Sequence, residues 1–484
     1  MKTDTMLWTS TEAAAATQGK VNYPFQATGV TIDSRKVNAG DLFVAIQGEL
    51  NDGHAYVAAA AAQGAVAAVV AKDPASFATA ALPAHFSLLQ VQDTTKALIA
   101  LGHYRRQQCT QTKIVAVTGS LGKTTVREAC AGALAAYAPC YATQGNLNNH
   151  FGTPLSLSRM PKESVYAVLE LGMNHSGEIA ALTQQVQPDV AIITTIAAVH
   201  LAHFASLDEI AAAKAEIFQG LRSGAIAILP KDSPYYTTLL QAAKAAGVQR
   251  SISFGSSDSK ADCMLLSSHY NAQSAQEIKA RCFGQEVSYS IAAKGKHHAL
   301  NSLAVIASLY ALDLAPAQLQ KGLEALTKMG NVQGRGTYLS LPWQQGAITL
   351  IDEAYNASPL AVTAAIEALA DVYQQQPKQG RRILALGDMF ELGEKAADFH
   401  RQLQEPIAAA KIDVVVCVGS LMRALYDELC QHATTVQQKK NYYHCQTAAE
   451  AWPIVQGLLL ADDVILIKGS NGMKMYELVK NLQR

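Results

Sequence analysis

Lys113 to Val126 reads KIVAVTGSLGKTTV, and few stretches leave a chain so little freedom. Ile114, Val115 and Val117 form the β-branched apolar run of a buried strand. A Gly-Ser-Leu-Gly-Lys-Thr-Thr turn follows, and a helical pattern starts at about Val126. Strand, glycine-rich turn and helix make a phosphate-binding unit. Backbone N–H groups wrap an anion only where no Cβ blocks the approach, which accounts for Gly119 and Gly122. The helix points its positive end at the same anion. Lys123 reaches the terminal phosphates, and the Thr124 hydroxyl suits Mg²⁺. The spacing departs from GxxxxGK[ST], because Val117 stands where that pattern has its first glycine. The register of strand, glycines, Gly-Lys-Thr and helix still points to ATP or a related nucleotide.

A length of 484 residues suggests about three domains. Acidic and basic residues balance at 39 each, so no global field favours nucleic acid or an acidic membrane. The first residues, MKTDTMLWTSTEAAAA, lack the basic-then-apolar order of a signal peptide. No run reaches the roughly 18 apolar residues of a membrane span; Tyr56 to Ala71 comes closest and is broken by Gln63 and Gly64. Cysteines 109, 130, 140, 263, 282, 417, 430 and 445 form no CxxC pair. Reduced, mostly buried thiols and a cytoplasmic location are expected.

The expected fold is α/β in three domains, spanning 1–92, 93–329 and 330–484. The first holds strands at 41–46 and 65–70 and a helix near 54–63. A helix at 94–107 leads to the phosphate loop. Strands at 167–171, 189–196 and 225–229 then alternate with helices, as in a parallel sheet covered on both faces. Residues 250–292 alternate polar and apolar and read as antiparallel strands appended to this domain. GNVQGRGTY, near Gly330, reads as a hinge. Strands at 347–351, 382–387, 413–418 and 463–468 mark a second α/β domain.

Glu170 ends an apolar strand, where parallel sheets bind ligands, and beside a phosphate loop it suits Mg²⁺. His200 and His203 follow the next strand, where a histidine is more often structural. Lys214 lies on a helical stretch and by pattern alone is a solvated lysine. Asn146, Asn148 and Asn149 in GNLNNHFGTPLSL are equally readable as ligand contacts or as turn residues.

Together these segments resemble the Mur ligase family, the ATP-dependent amide-forming enzymes of peptidoglycan synthesis. The resemblance runs in order over nearly the whole chain. GSLGKTT matches the family's shorter GxxGKTT, which explains Val117. NLNN, ELGMNHSGEI, the His200 segment, AKAEIF, GKHHALNSLAVIA, QGRGTY, IDEAYNASP, LGDMFELG and KGSNGMK follow. TIDSRKVNAGDLF resembles the first domain of the two late-acting members, and IDEAYNASP and LGDMFELG the one that adds D-alanyl-D-alanine to UDP-N-acetylmuramoyl-tripeptide.

The resemblance implies a small UDP-substrate domain, a central ATPase domain and a Rossmann-like C-terminal domain for the dipeptide. It implies that the loop residues Gly119, Ser120, Leu121, Gly122, Lys123, Thr124 and Thr125, with Asn301, Arg335 and Asp352, bind ATP. Ser34 and Arg35 would hold the uridine nucleotide; Asn146, Asn148, Asn149, Tyr355 and Asn356 would contact substrate. Two Mg²⁺ ions would be held by Thr124, Glu170, His200 and a Lys214 that the family carbamylates. Lys123, His200 and Lys214 would be catalytic. A monomer acting on small molecules, with no nucleic-acid partner, is expected. Two departures, His150 after NLNN and Asn471 where the family often has arginine, touch these contacts. A related ligase such as folylpolyglutamate or cyanophycin synthetase, or a non-catalytic nucleotide-binding protein, are the other readings. The DSRKVNAGDLF segment speaks against folylpolyglutamate synthetase, and Lys123, Thr124, Glu170, His200 and Lys214 together speak against a non-catalytic protein.

Overall fold

The computed structural model describes residues 6–48, 51–77, 82–199, 201–271, 275–314, 316–328, 334–374 and 380–484. Among these, three main sheets follow one another along the chain. Five strands between Lys20 and Gln90 form the first, with Gly29–Thr31, Asp41–Val44, Ala67–Val70 and Ser87–Gln90 parallel. A nine-stranded sheet spans Lys113 to Ile291, and a six-stranded sheet spans Thr337 to Lys468.

In the central sheet Lys113–Thr118 lies between Tyr166–Glu170 and Val190–Ile193, parallel to both. Its side chains alternate between two cores. Val115 and Val117 join the layer of helix Lys296–Ala311, while Ile114 and Ala116 join the opposite layer with Ile179 and Leu182. All four are fully buried; full burial of a valine contributes about 1.5–3 kcal/mol. Val117 pairs with Glu170 and Ile192 inside the strand, so the anion loop begins only at Gly119. The carboxyl ends of all three strands open on the same side, which brings Thr118, Glu170 and Thr194 together.

Two expectations need correcting. The helix after the loop is Lys123–Ala135 and starts three residues before Val126. Gly122, at φ 82°, turns the chain directly into it. Residues 250–292 are not wholly antiparallel, since Arg250–Gly255 runs parallel to Ile226–Pro230 and pairs in parallel with Cys263–Tyr270. Only the strands from Cys263 onward meet their later neighbours antiparallel. Arg250–Gly255 ends in four buried residues, whereas alternating burial belongs to the later strands. In the expected hinge, 329–333 lie outside the described residues.

Helix Thr94–Gln108 ties the first sheet to the central one. Its Ala97, Leu98 and Leu101 share a core with Trp8, Val30, Leu42 and Leu155. Arg105, fully buried, donates to the carbonyls of Leu7 and Met160 and lies 4.6 Å from the Trp8 ring centre. Trp8 donates its indole N–H to the Ser158 carbonyl at 2.8 Å. The eight cysteines are free thiols, six of them buried.

Candidate active site

The phosphate loop is shaped by two glycines. At Gly119 (φ 147°) a Cβ would fall 1.9 Å from Thr194 Oγ1, and at Gly122 it would press on the Asn301 amide at 3.0 Å. Ser120 pins the loop to the next strand end: its N–H donates to Thr195 O at 2.8 Å, and its hydroxyl accepts from Ala197 N–H at 2.9 Å. Lys123 curls back on the loop, donating to Gly119 O at 2.8 Å. Burial pushes its ammonium below the usual lysine value, the Glu170 carboxylate pulls it up, and Arg335 pushes it down again.

Glu170, 3 % exposed, is the electrostatic centre. Thr124 donates its hydroxyl to Oε2 at 2.9 Å, and Asn148 donates its amide to Oε1 at 2.7 Å. The Arg127 guanidinium, also buried, stands 3.4 Å from Oε2. A hydroxyl and a carboxylate side by side, beside a phosphate loop, form an oxygen-rich donor set that fits Mg²⁺.

A cavity of about 800 Å³ opens in front of the loop. Ser120 to Thr125, Asn146, Asn148, Glu170 and Asn301 line one wall. Arg335, Tyr355, Asn356, Ser358, Phe390 and Lys468 of the C-terminal domain line the other. Arg335 lies 4.2 Å above the Tyr355 ring. Lys468 donates to Glu353 Oε2 at 2.9 Å. The expected loop residues from Ser120 to Thr125, with Asn301, Arg335, Tyr355 and Asn356, therefore meet at one cavity, while Gly119 lies outside its lining.

Other expected residues stand elsewhere. Asp352 is buried and accepts from the N–H groups of Gly334 and Ala354, each at 3.1 Å; it does not line the cavity. Burial raises its pKa. Asn149 accepts from Phe151 and Gly152 N–H and so starts the helix Gly152–Ser158. Lys214 is 2 % exposed in helix Leu207–Ala215, contrary to a solvated lysine. Burial, then the charge of Lys123, push its amine well below the usual lysine value. His200 lies outside the described residues; His203 is exposed beside His175, ring centres 4.6 Å apart. His150 is exposed and packs its ring on Phe151, and Asn471 lines the cavity. Ser34 and Arg35 sit on a short turn of the first domain, away from the cavity. Arg35 is held by Asp33, whose carboxylate accepts from Nε and Nη2 at 2.9 Å each.

Sequence reasoning missed Glu353, Ser358, Phe390 and Lys468 as cavity residues. All four fall in or beside IDEAYNASP, LGDMFELG and KGSNGMK, so proximity to those segments was the available signal.

Family models match three consecutive stretches: "Mur ligase family, catalytic domain" at 26–105, "Mur ligase middle domain" at 117–309, and "Mur ligase, glutamate ligase domain" at 339–471. The UDP-N-acetylmuramoyl-tripeptide--D-alanyl-D-alanine ligase of Escherichia coli (strain K12) is 34% identical over 94% of this chain and 93% of its own. That of Bacillus subtilis (strain 168) is 32% identical over 94% and 93%. The crystal structure of MurF from Acinetobacter baumannii superposes with a TM-score of 0.81 at 30% identity, covering 98% of both chains.

Proposed function

The chain belongs to the Mur ligase family, and from that premise we propose that it is an ATP-dependent ligase joining D-alanyl-D-alanine to the terminal carboxylate of UDP-N-acetylmuramoyl-tripeptide. The observation that carries this reading is the shared cavity between the phosphate loop and the C-terminal segment Tyr355–Ser358. One wall suits a nucleotide and the other faces the point where an acyl group would be activated.

A carboxylate is a poor acyl donor because oxide is a poor leaving group. One carboxylate oxygen attacks the γ-phosphorus of ATP, the bond to the β,γ-bridging oxygen breaks, and ADP leaves. The resulting acyl phosphate is attacked at its carbonyl carbon by the dipeptide amine. The tetrahedral adduct expels phosphate, and the amine loses a proton. Catalysis here is positioning and charge stabilisation. The loop amides and Lys123 would cradle the β- and γ-phosphates, releasing the lysine from its contact with Gly119 O. Asn301, packed on Gly122, would meet the base, and Arg335 the phosphates at the domain junction. Mg²⁺, two ions in this reading, neutralises phosphate charge when bound. Thr124, Glu170, His200 and a carbamylated Lys214 would hold the ions, with Asn148 and Arg127 orienting Glu170. The depressed Lys214 pKa supports the modification, because only a neutral amine adds CO₂. Ser34 and Arg35 would take the uridine diphosphate end, since an arginine fork suits a diphosphate.

Domain limits at 1–92, 93–329 and 330–484, a monomeric state and a cytoplasmic location complete the proposal. No helix among the described residues is long and apolar enough to cross a membrane. The test is phosphate release from ATP. Release should require both UDP-N-acetylmuramoyl-tripeptide and D-alanyl-D-alanine. No release, with tripeptides ending in either diaminopimelate or lysine, overturns the assignment.

A further inference from the structure

Ser358 immediately precedes the 16-residue helix Pro359–Gln374, and its carbonyl accepts from Val362 N–H at 2.9 Å. Pro359 therefore takes the first helical position, where its missing N–H is no loss. A serine placed here ordinarily turns its hydroxyl onto the helix's own first-turn amides. This one does not. Ser358 is 5 % exposed, lines the cavity, and its hydroxyl has no partner among the described residues. A buried hydroxyl without a partner is rare and calls for an explanation. It stands beside first-turn amides that lack partners within their helix and carry its positive end. An anionic oxygen group entering the cavity would satisfy both.

The surroundings narrow the anion's identity. Leu360, 51 % exposed, and Phe390, 42 % exposed, line the same cavity. Phe390 is held in place, since its N–H donates to Ser470 Oγ at 2.9 Å. Apolar surface beside an anion receptor suits a short peptide with small apolar side chains better than a phosphate. We propose that Ser358 and the first turn of Pro359–Gln374 bind the terminal carboxylate of the incoming dipeptide, with Leu360 and Phe390 flanking its methyl groups. This assignment rests on the ligase reading above and names the subsite of its second substrate.

Steady-state phosphate release by the full chain tests it, with D-alanyl-D-alanine and its C-terminal amide compared. Ser358→Ala should raise the KM for the dipeptide on the order of tenfold, as expected for a lost hydrogen bond to a charged group. Its KM for ATP and for the UDP-tripeptide should stay unchanged. The wild type should disfavour the amide, and Ser358→Ala should discriminate less. Ser358→Asp separates binding from folding: an aspartate caps the helix at least as well, so the thermal midpoint should hold or rise, while repulsion raises the dipeptide KM further. An unchanged dipeptide KM in Ser358→Ala, or a rise in the KM for ATP instead, overturns the carboxylate assignment alone; the latter result would point to phosphate. Wild-type protein that releases no phosphate overturns the ligase reading and this subsite with it.

Discussion

The phosphate loop and the first-domain turn at Asp33–Lys36 are both short connections after a parallel strand, and each offers a cation. They are built oppositely. The loop is locked by glycines whose Cβ positions are taken, by Ser120 bound on two sides, and by a buried Glu170 carrying Thr124, Asn148 and Arg127. Removing one partner of a buried pair such as Arg127–Glu170 costs about 3–5 kcal/mol, so folding itself holds that geometry. Arg35 is 86 % exposed and tied by hydrogen bonds to Asp33, two residues away. Such a contact contributes little to folding. On the proposed function, the loop would be pre-organised for a transition state, whereas the exposed turn would close on a ligand when one arrives. Mutations in the first should act on kcat and mutations in the second on KM.

The largest effect is expected at Lys123. Lys123→Ala should lower kcat on the order of 10³-fold, the cost of removing a transition-state charge partner, while circular dichroism stays native. Activity within tenfold of wild type would break the comparison at its stronger end. Next comes Lys214→Ala, with a loss on the order of 10²-fold that formate or acetate partly restores. Wild-type-like turnover of the variant would remove the carbamate from the proposal. Smallest is Arg35→Ala, which should raise the KM for the UDP-tripeptide about tenfold and leave kcat and the thermal midpoint alone. A fall in kcat, with KM constant, would place Arg35 with the rigid machinery instead.

What could be read from residues alone follows the same division. Gly119 and Gly122 were legible because only glycine suits those backbone positions, and strand–turn–helix order fixed where they lie. The place of Glu170 at the cavity was legible because it ends an apolar strand beside the phosphate loop, where parallel sheets open to ligands. The helix start at Lys123 was placed late, because the left-handed Gly122 begins it without any capping side chain. Arg250–Gly255 was assigned the wrong direction, since periodicity reports how many faces are buried and carries no sign for the partner's direction. Asp352 and Asn149 share their motifs with cavity residues, yet their carboxylate and amide turn to backbone N–H groups. Side-chain direction of that kind is decided by tertiary contacts. Ser358 was invisible for the same reason, as an unpartnered hydroxyl exists only once every neighbour is placed.

Arg105 has a mechanical consequence. A guanidinium with no exposure, donating to Leu7 on one side and Met160 on the other, cannot be drawn apart without stranding a buried charge. The Trp8–Ser158 bond and the shared core around Leu98 and Leu155 act in parallel with it. The first two sheets are therefore joined by one continuous packed frame between the Arg35 turn and the phosphate loop. On the proposed function, a ligand gripped at both points would be measured by that frame as by a ruler: one residue too short, and its carboxylate would not reach the phosphate.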